Sequence, residues 1–170
     1  MLIDYAHTPD GLENVLNTLK DIAIIQKGRL LALFGCGRNR DPGRRAKMGK
    51  IASDIVDFLV ITEDNPRMED SHVISAEIMT GVESGFQDYE LIQNRSKAIE
   101  FIINQAQEND VVLLAGKGHE TYQIFKTETI HFDDREEAVE SISNKLKPKL
   151  EAFMPDLCIS LPDTINVYPI

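Results

Sequence analysis

The sequence predicts an α/β domain, with a mainly parallel sheet and helices on both faces. Three observations carry this. Short apolar runs alternate with segments of helical period. Several runs, Val111–Ala115 above all, are apolar throughout, as strands covered on both faces are. The 170 residues are 42% hydrophobic and 27% charged, enough apolar material for one core and too much for global disorder.

The elements follow in order. Leu2–Tyr5 reads as a short strand. Thr8 caps a helix with Pro9 at its first position, and Leu12, Val15, Leu16, Leu19 and Ala23 recur at helical spacing until Gly28. Leu30–Phe34 is a buried strand by length and composition. Asp41–Pro42 opens a second helix with Met48, Ile51, Ala52 and Ile55 on one face. Phe58–Thr62 is the next strand, and Ser71 can cap a third helix carrying Ile74, Ile78 and Val82. Tyr89–Ile92 is a short strand, and Ala98, Ile99, Ile102, Ile103 and Ala106 mark a fourth helix. After strand Val111–Ala115 comes a hairpin between Thr121 and Phe132. Asp133 and Glu136 form a capping-box pattern for a last helix with Ala138, Val139, Ile142 and Leu146. Beyond Lys147 the periodicity stops, and Pro148, Pro155, Pro162 and Pro169 interrupt the chain. The expected division is therefore a domain over 1–147 and an irregular proline-containing tail over 148–170.

The charge excludes some functions. Lys and Arg number 18 against 28 Asp and Glu, a net charge of −10, which disfavours nucleic acid and anionic membranes as partners. Apolar runs fall short of the ~20 residues of a membrane helix, and Asp4 and His7 interrupt any leader-like start. Two cysteines, Cys36 and Cys158, do not make a disulfide scaffold and suit a reducing cytoplasm.

Four polar or glycine-rich segments directly follow four strands: 4–10, 35–41, 63–67 and 116–120. Parallel strands share a direction, so these segments must lie along one edge. In open α/β sheets that edge binds ligands. Segment 35–41 and its continuation carry Arg38, Arg40, Arg44 and Arg45, a basic cluster in an acidic chain. Arginine forks suit carboxylate or phosphate. The plain alternative is a solvated loop whose arginines balance nearby acids. The segment is neither a P-loop nor a complete dinucleotide fingerprint, since position 40 is not glycine. Asp64–Arg67 could be a simple turn, although Pro66 would stiffen it and aim Arg67 into the crevice. Gly116–Glu120 offers bare backbone and an acid. His7 and His119, each taken alone, read as structural residues. His and Cys lack metal-ligand spacing, and no Ser-His-Asp order is legible.

Together, Asp4-Tyr5-Ala6-His7-Thr8-Pro9-Asp10, Gly35-Cys36-Gly37 with Arg40-Asp41, Asp64-Asn65-Pro66-Arg67 and Gly116-Lys117-Gly118-His119-Glu120 resemble the C-terminal domain of the Mur ligase family. The resemblance covers about residues 1–146, and its Asp-Asn-Pro-Arg motif is similar to that of members adding meso-diaminopimelate. It implies a Rossmann-like three-layer domain with a mixed, mainly parallel sheet. It also implies an ATP-dependent acid–amino-acid ligase of peptidoglycan synthesis, acting in the cytoplasm through an acyl phosphate. ATP and Mg2+ would be held mainly by a central P-loop domain, and UDP-MurNAc-L-Ala-D-Glu by further domains. Neither domain is legible in this sequence, so the chain alone is expected to lack ligase activity.

Residue by residue, the resemblance implies that Arg40, Asn65 and Arg67, beside Asp64, hold the far carboxylate of diaminopimelate. The Gly116 carbonyl and the Glu120 carboxylate would hold its far ammonium. Asp4, Tyr5 and His7 would face the ribose and adenine side of ATP, and Arg44 or Arg45 would approach its phosphates. No catalytic residue and no metal ligand is assigned. The competing reading is a stand-alone module that binds diaminopimelate or a nucleotide without catalysis.

Overall fold

The computed structural model describes residues 1–37 and 41–153, with side chains through Pro148. The chain runs β1 (Leu2–Asp4), α1 (Pro9–Gln26), β2 (Leu30–Phe34), α2 (Pro42–Ile55), β3 (Phe58–Ile61) and α3 (Ser71–Met79). It continues through β4 (Tyr89–Leu91), α4 (Arg95–Gln105), β5 (Val111–Ala115), β6 (Tyr122–Ile124), β7 (Thr129–His131) and α5 (Asp134–Phe153). Five strands form one sheet in the order β1-β5-β2-β3-β4. Each of its pairings is parallel. The antiparallel component is a separate ribbon of β6 and β7, with Gln123 opposite Ile130.

Strand alternation sorts the core into two layers. Leu30, Ala32 and Phe34 point with Leu59, Ile61, Leu113 and Ala115 toward Leu12, Leu16, Met48 and Ile74 of α1, α2 and α3. Leu31 and Leu33 point with Val60, Val112 and Leu114 toward Ile99, Ile102 and Ala138 of α4 and α5. Period-2 geometry thus explains the unbroken apolar runs, because β2 and β5 bury every residue. Each fully buried leucine is worth roughly 1.5–3 kcal/mol relative to exposure.

Local capping fixes the ends. Thr8 Oγ1 accepts from the Gly11 amide at 3.1 Å, and Pro9 follows as expected. Lys27, rather than Gly28, takes the left-handed conformation that closes α1, at φ 58°. Asp70 caps α3 by accepting from His72 N at 2.8 Å. Ser71 is thereby the first helical residue, and its hydroxyl donates to Glu63 instead. Asp133 accepts from Arg135 N at 2.8 Å, but Glu136 turns to His131 at 2.6 Å, so only half of the expected capping box forms. The last helix continues past Pro148 to Phe153, beyond the Lys147 limit set by apolar periodicity. Residues 154–170 of the expected tail lie outside the described residues.

The strand order sets the ligand edge. From β2 the chain leaves toward β3 through α2 on one face, whereas β5 is entered from α4 on the other. The crevice between the carboxyl ends of β2 and β5 is the switch point of the sheet. All four singled-out segments begin at the carboxyl ends of β1, β2, β3 and β5.

Candidate functional site

The segment after β5 turns through two glycines in the left-handed region, Gly116 at φ 112° and Gly118 at φ 54°. A Cβ on Gly118 would lie 2.7 Å from Tyr5 Cβ and 3.0 Å from its backbone nitrogen. Glycine therefore lets this loop press against the segment after β1. Between these glycines, Lys117 points inward with 0% exposure. Its ammonium donates to the Tyr122 carbonyl at 2.7 Å and to Asn65 Oδ1 at 3.3 Å. Asp64 Oδ1 lies 3.4 Å away and Glu120 Oε2 3.7 Å away.

The segment after β3 supplies the other half. Asn65 Nδ2 donates to Glu120 Oε2 at 2.9 Å, while its Oδ1 also accepts from the Ile124 amide at 2.9 Å. Arg67 takes a left-handed φ of 55° and donates its amide to the Ile124 carbonyl at 3.0 Å. Its guanidinium Nη1 reaches the Asn65 carbonyl at 3.4 Å. Gln123 Nε2 donates to the Asp64 carbonyl at 2.9 Å. The β6–β7 ribbon thus forms a wall against which 64–67 is pinned. A Cβ on Gly37, in the loop after β2, would lie 3.7 Å from both Arg67 Nη1 and Asp64 Oδ2. Three strand ends therefore converge on one crevice.

Burial shapes the charges. It pushes the Lys117 ammonium below the ordinary lysine pKa, while Asp64 and Glu120 pull it back up. Burial raises the Glu63 carboxyl, against the Ser71 hydrogen bond and the Arg95 charge. Beneath the rim, Arg95 and Asp134 form a fully buried pair at 2.7 Å. Arg95 also donates to the Ala115 carbonyl at 3.0 Å and thereby ties down the end of β5.

Tyr5 stands on the β1 side of the rim, exposed, with the His7 ring 4.6 Å away and the His119 ring 5.3 Å away between centroids. Asp4 is occupied locally, accepting from Ala6 N at 2.6 Å, and His7 Nδ1 contacts the Tyr5 carbonyl at 2.9 Å.

The structure thus brings Asp64, Asn65, Arg67, Gly116 and Glu120 into one crevice, with Asp4, Tyr5 and His7 beside it. Arg40 lies outside the described residues. Arg44 is exposed at the start of α2. Arg45 does not reach the crevice with a free fork. It is 1% exposed and engages Glu69 and Glu77, each at 2.6 Å, and the Gly37 carbonyl at 3.1 Å. The Glu69 hydrogen bond above all holds it charged, well above the ordinary arginine value. Its place is to fasten the loop after β2. The Asn65 side-chain amide is engaged by Glu120, Lys117 and the Ile124 amide, on the acidic side of the crevice. Sequence reasoning assigned nothing to Lys117, Gln123 or the Tyr122 and Ile124 carbonyls. A lysine between two glycines directly after a buried strand was the available signal for the first.

Comparison with known proteins shows the family. A family profile described as "Mur ligase, glutamate ligase domain" matches residues 1–118. The UDP-N-acetylmuramoyl-L-alanyl-D-glutamate--2,6-diaminopimelate ligase of Clostridium botulinum (strain ATCC 19397 / Type A) is 48% identical over 136 residues, covering 80% of this chain and 27% of its own length. The protein of the same name from Prochlorococcus marinus (strain NATL1A) is 48% identical over 143 residues, covering 84% of this chain and 27% of its own. A solved structure of a UDP-N-acetylmuramoyl-L-alanyl-D-glutamate--2,6-diaminopimelate ligase superposes with a TM-score of 0.76 and 40% identity, over 84% of this chain and 29% of that one. The chain spans less than a third of the length of these relatives. With a profile match over 118 of 170 residues, the chain belongs to the Mur ligase family, through its glutamate ligase domain.

Proposed function

We propose that the chain is the amino-acid-holding domain of an ATP-dependent ligase that adds meso-diaminopimelate to UDP-MurNAc-L-Ala-D-Glu in the cytoplasm. One observation carries the reading. A guanidinium and a carboxylate meet on either side of Asn65, with Arg67 on its carbonyl at 3.4 Å and Glu120 on its amide at 2.9 Å. A cation and an acid flanking one residue match the zwitterionic far end of diaminopimelate, and the relatives carry that amino acid in their names.

In this reading Arg67, with Arg40, binds the far carboxylate. Glu120 and the Gly116 carbonyl, with Asp64 behind them, bind the far ammonium. Holding that end orients the near amine for attack, and orientation alone can supply a large share of a rate enhancement. Lysine lacks the far carboxylate and leaves Arg67 desolvated without a partner, at a cost of about 1–3 kcal/mol or more. Tyr5, flanked by His7 and His119, is a flat surface suited to a base or ribose, with Asp4 stiffening the turn beneath it. Of the two arginines, the exposed Arg44 is assigned to phosphate, since Arg45 is held by Glu69 and Glu77. ATP supplies the activation of the acceptor carboxylate, and Mg2+ is assigned to the parts of the longer relatives that this chain does not span.

A chimaera tests the reading. Residues 1–148 of this chain replace the matching segment of the Clostridium botulinum ligase. Phosphate release is then measured with UDP-MurNAc-L-Ala-D-Glu and either amino acid. The expected result is turnover with meso-diaminopimelate and a kcat/KM at least about 10²-fold below it for L-lysine. A folded chimaera that binds ATP but uses neither amino acid, or both equally, contradicts the proposal.

A further inference from the structure

Lys117 has no role in the proposed chemistry, yet it is fully buried at the centre of the crevice. Burying an ammonium is costly unless it is paired and hydrogen-bonded. Four oxygens surround it, and they come from separate places: Asp64 and Asn65 after β3, Glu120 after β5, and the Tyr122 carbonyl at the start of β6. Two of them belong to the residues that meet the ligand's far end. Asp64 Oδ1 is a buried atom without a hydrogen bond, so its compensation is the ammonium 3.4 Å away. The neighbouring charges Arg95 and Asp134 are paired with each other and cancel locally.

We propose that Lys117 is the positioning residue of the ammonium subsite: it locks Asn65 and Glu120 into one unit across two loops and leaves the acids around it with a single net negative charge, matched to one ligand ammonium. Two carboxylates, Asp64 and Glu120, face one internal cation. The site therefore takes up one further positive charge and no more. Without Lys117 the two acids would repel each other, and Glu120 would turn away from the crevice toward water. The inference rests on the diaminopimelate reading above and deepens it.

The test is a double-mutant cycle in the same chimaera: Lys117→Met, Glu120→Gln and the pair, with KM for meso-diaminopimelate, KM for ATP and kcat measured for each. Lys117→Met is expected to raise the amino-acid KM roughly 10- to 100-fold, the worth of a charged hydrogen bond. The KM for ATP stays within about twofold, because the side chains that Lys117 touches, Asp64, Asn65 and Glu120, all lie on the amino-acid side of the crevice. In the Glu120→Gln background the same change is expected to cost no more than about threefold, since the acid it positions is already neutral. Independent, multiplying effects overturn the proposal, as does a Lys117→Met enzyme with unchanged amino-acid KM, or one in which both KM values rise together. If Lys117→Met does not fold, Lys117→Gln is measured in its place, because it keeps a donor for the Tyr122 carbonyl while losing the charge. A parent chimaera that ignores diaminopimelate removes both readings. One that uses it while the cycle is additive removes only this one.

Discussion

At the scale of single residues, a few positions tolerate little change. Gly118 is one. Its φ of 54° and the 2.7 Å approach to Tyr5 leave no room for a methyl group. Gly118→Ala is expected to destabilise the fold by about 1–3 kcal/mol, measured by urea unfolding, and to separate His119 from the Tyr5 ring. Asp133 is another. Its hydrogen bond to Arg135 holds its carboxyl below the ordinary aspartate value of 3.8. A lowered carboxyl pKa stabilises the fold above the unfolded value, and this contribution is lost as pH falls through the folded one. Asp133→Ala is therefore expected to cost about 1 kcal/mol at neutral pH as a lost helix cap. The gap from the parent should close as unfolding is followed below pH 3.8. A gap constant down to strongly acid pH speaks against the cap's charge as its source. At this scale the sequence was partly legible. Arg67 and Glu120 announced themselves by residue type and position after a strand. For Arg45 the resemblance implied the ATP phosphates, whereas the acids that engage it lie 24 and 32 residues away in sequence; Lys117 has Glu120 nearby, but its other acid, Asp64, comes from a different strand end.

At the scale of elements, parallel pairing does most of the work. Five strands in one direction deliver four loops to a single edge, so the order of segments along the chain revealed the edge before any contact was known. The strand cores were legible because β2 and β5 are apolar without interruption. The ends were less so. Strand β3 stops at Ile61 and leaves Thr62, whose hydroxyl donates to the Gln93 carbonyl at 3.0 Å, outside the ladder. Helix α5 runs through Pro148 although no apolar period marks it. The β6–β7 ribbon was visible as a hairpin, but its service as the wall of the crevice was not, because backbone carbonyls leave no trace in residue type. The buried Arg95–Asp134 pair joins α4, α5 and the end of β5. Arg95→Met strands the Asp134 carboxylate and is expected to cost about 3–5 kcal/mol. The double change Arg95→Met with Asp134→Leu should recover much of that loss in the same unfolding measurement. If the double variant is as unstable as the single, the pair is not the source of the cost.

At the scale of the whole molecule, an acidic domain presents a confined crevice in which cations and acids alternate. In the proposed reading that alternation, rather than net charge, matches a zwitterion. The chain spans under a third of the length of its named relatives, and in the proposed reading its part is to bind and orient the amino acid. The central claim is that Arg67 and Glu120 grip opposite charges at one amino-acid end. The most direct measurement is the ratio of kcat/KM for meso-diaminopimelate to that for L-lysine in the chimaera, before and after Arg67→Ala. The expected result is a fall of about 10²-fold in that ratio, carried by the diaminopimelate KM with the ATP KM little changed. A ratio that stays the same, or an equal loss for ATP and amino acid, contradicts it.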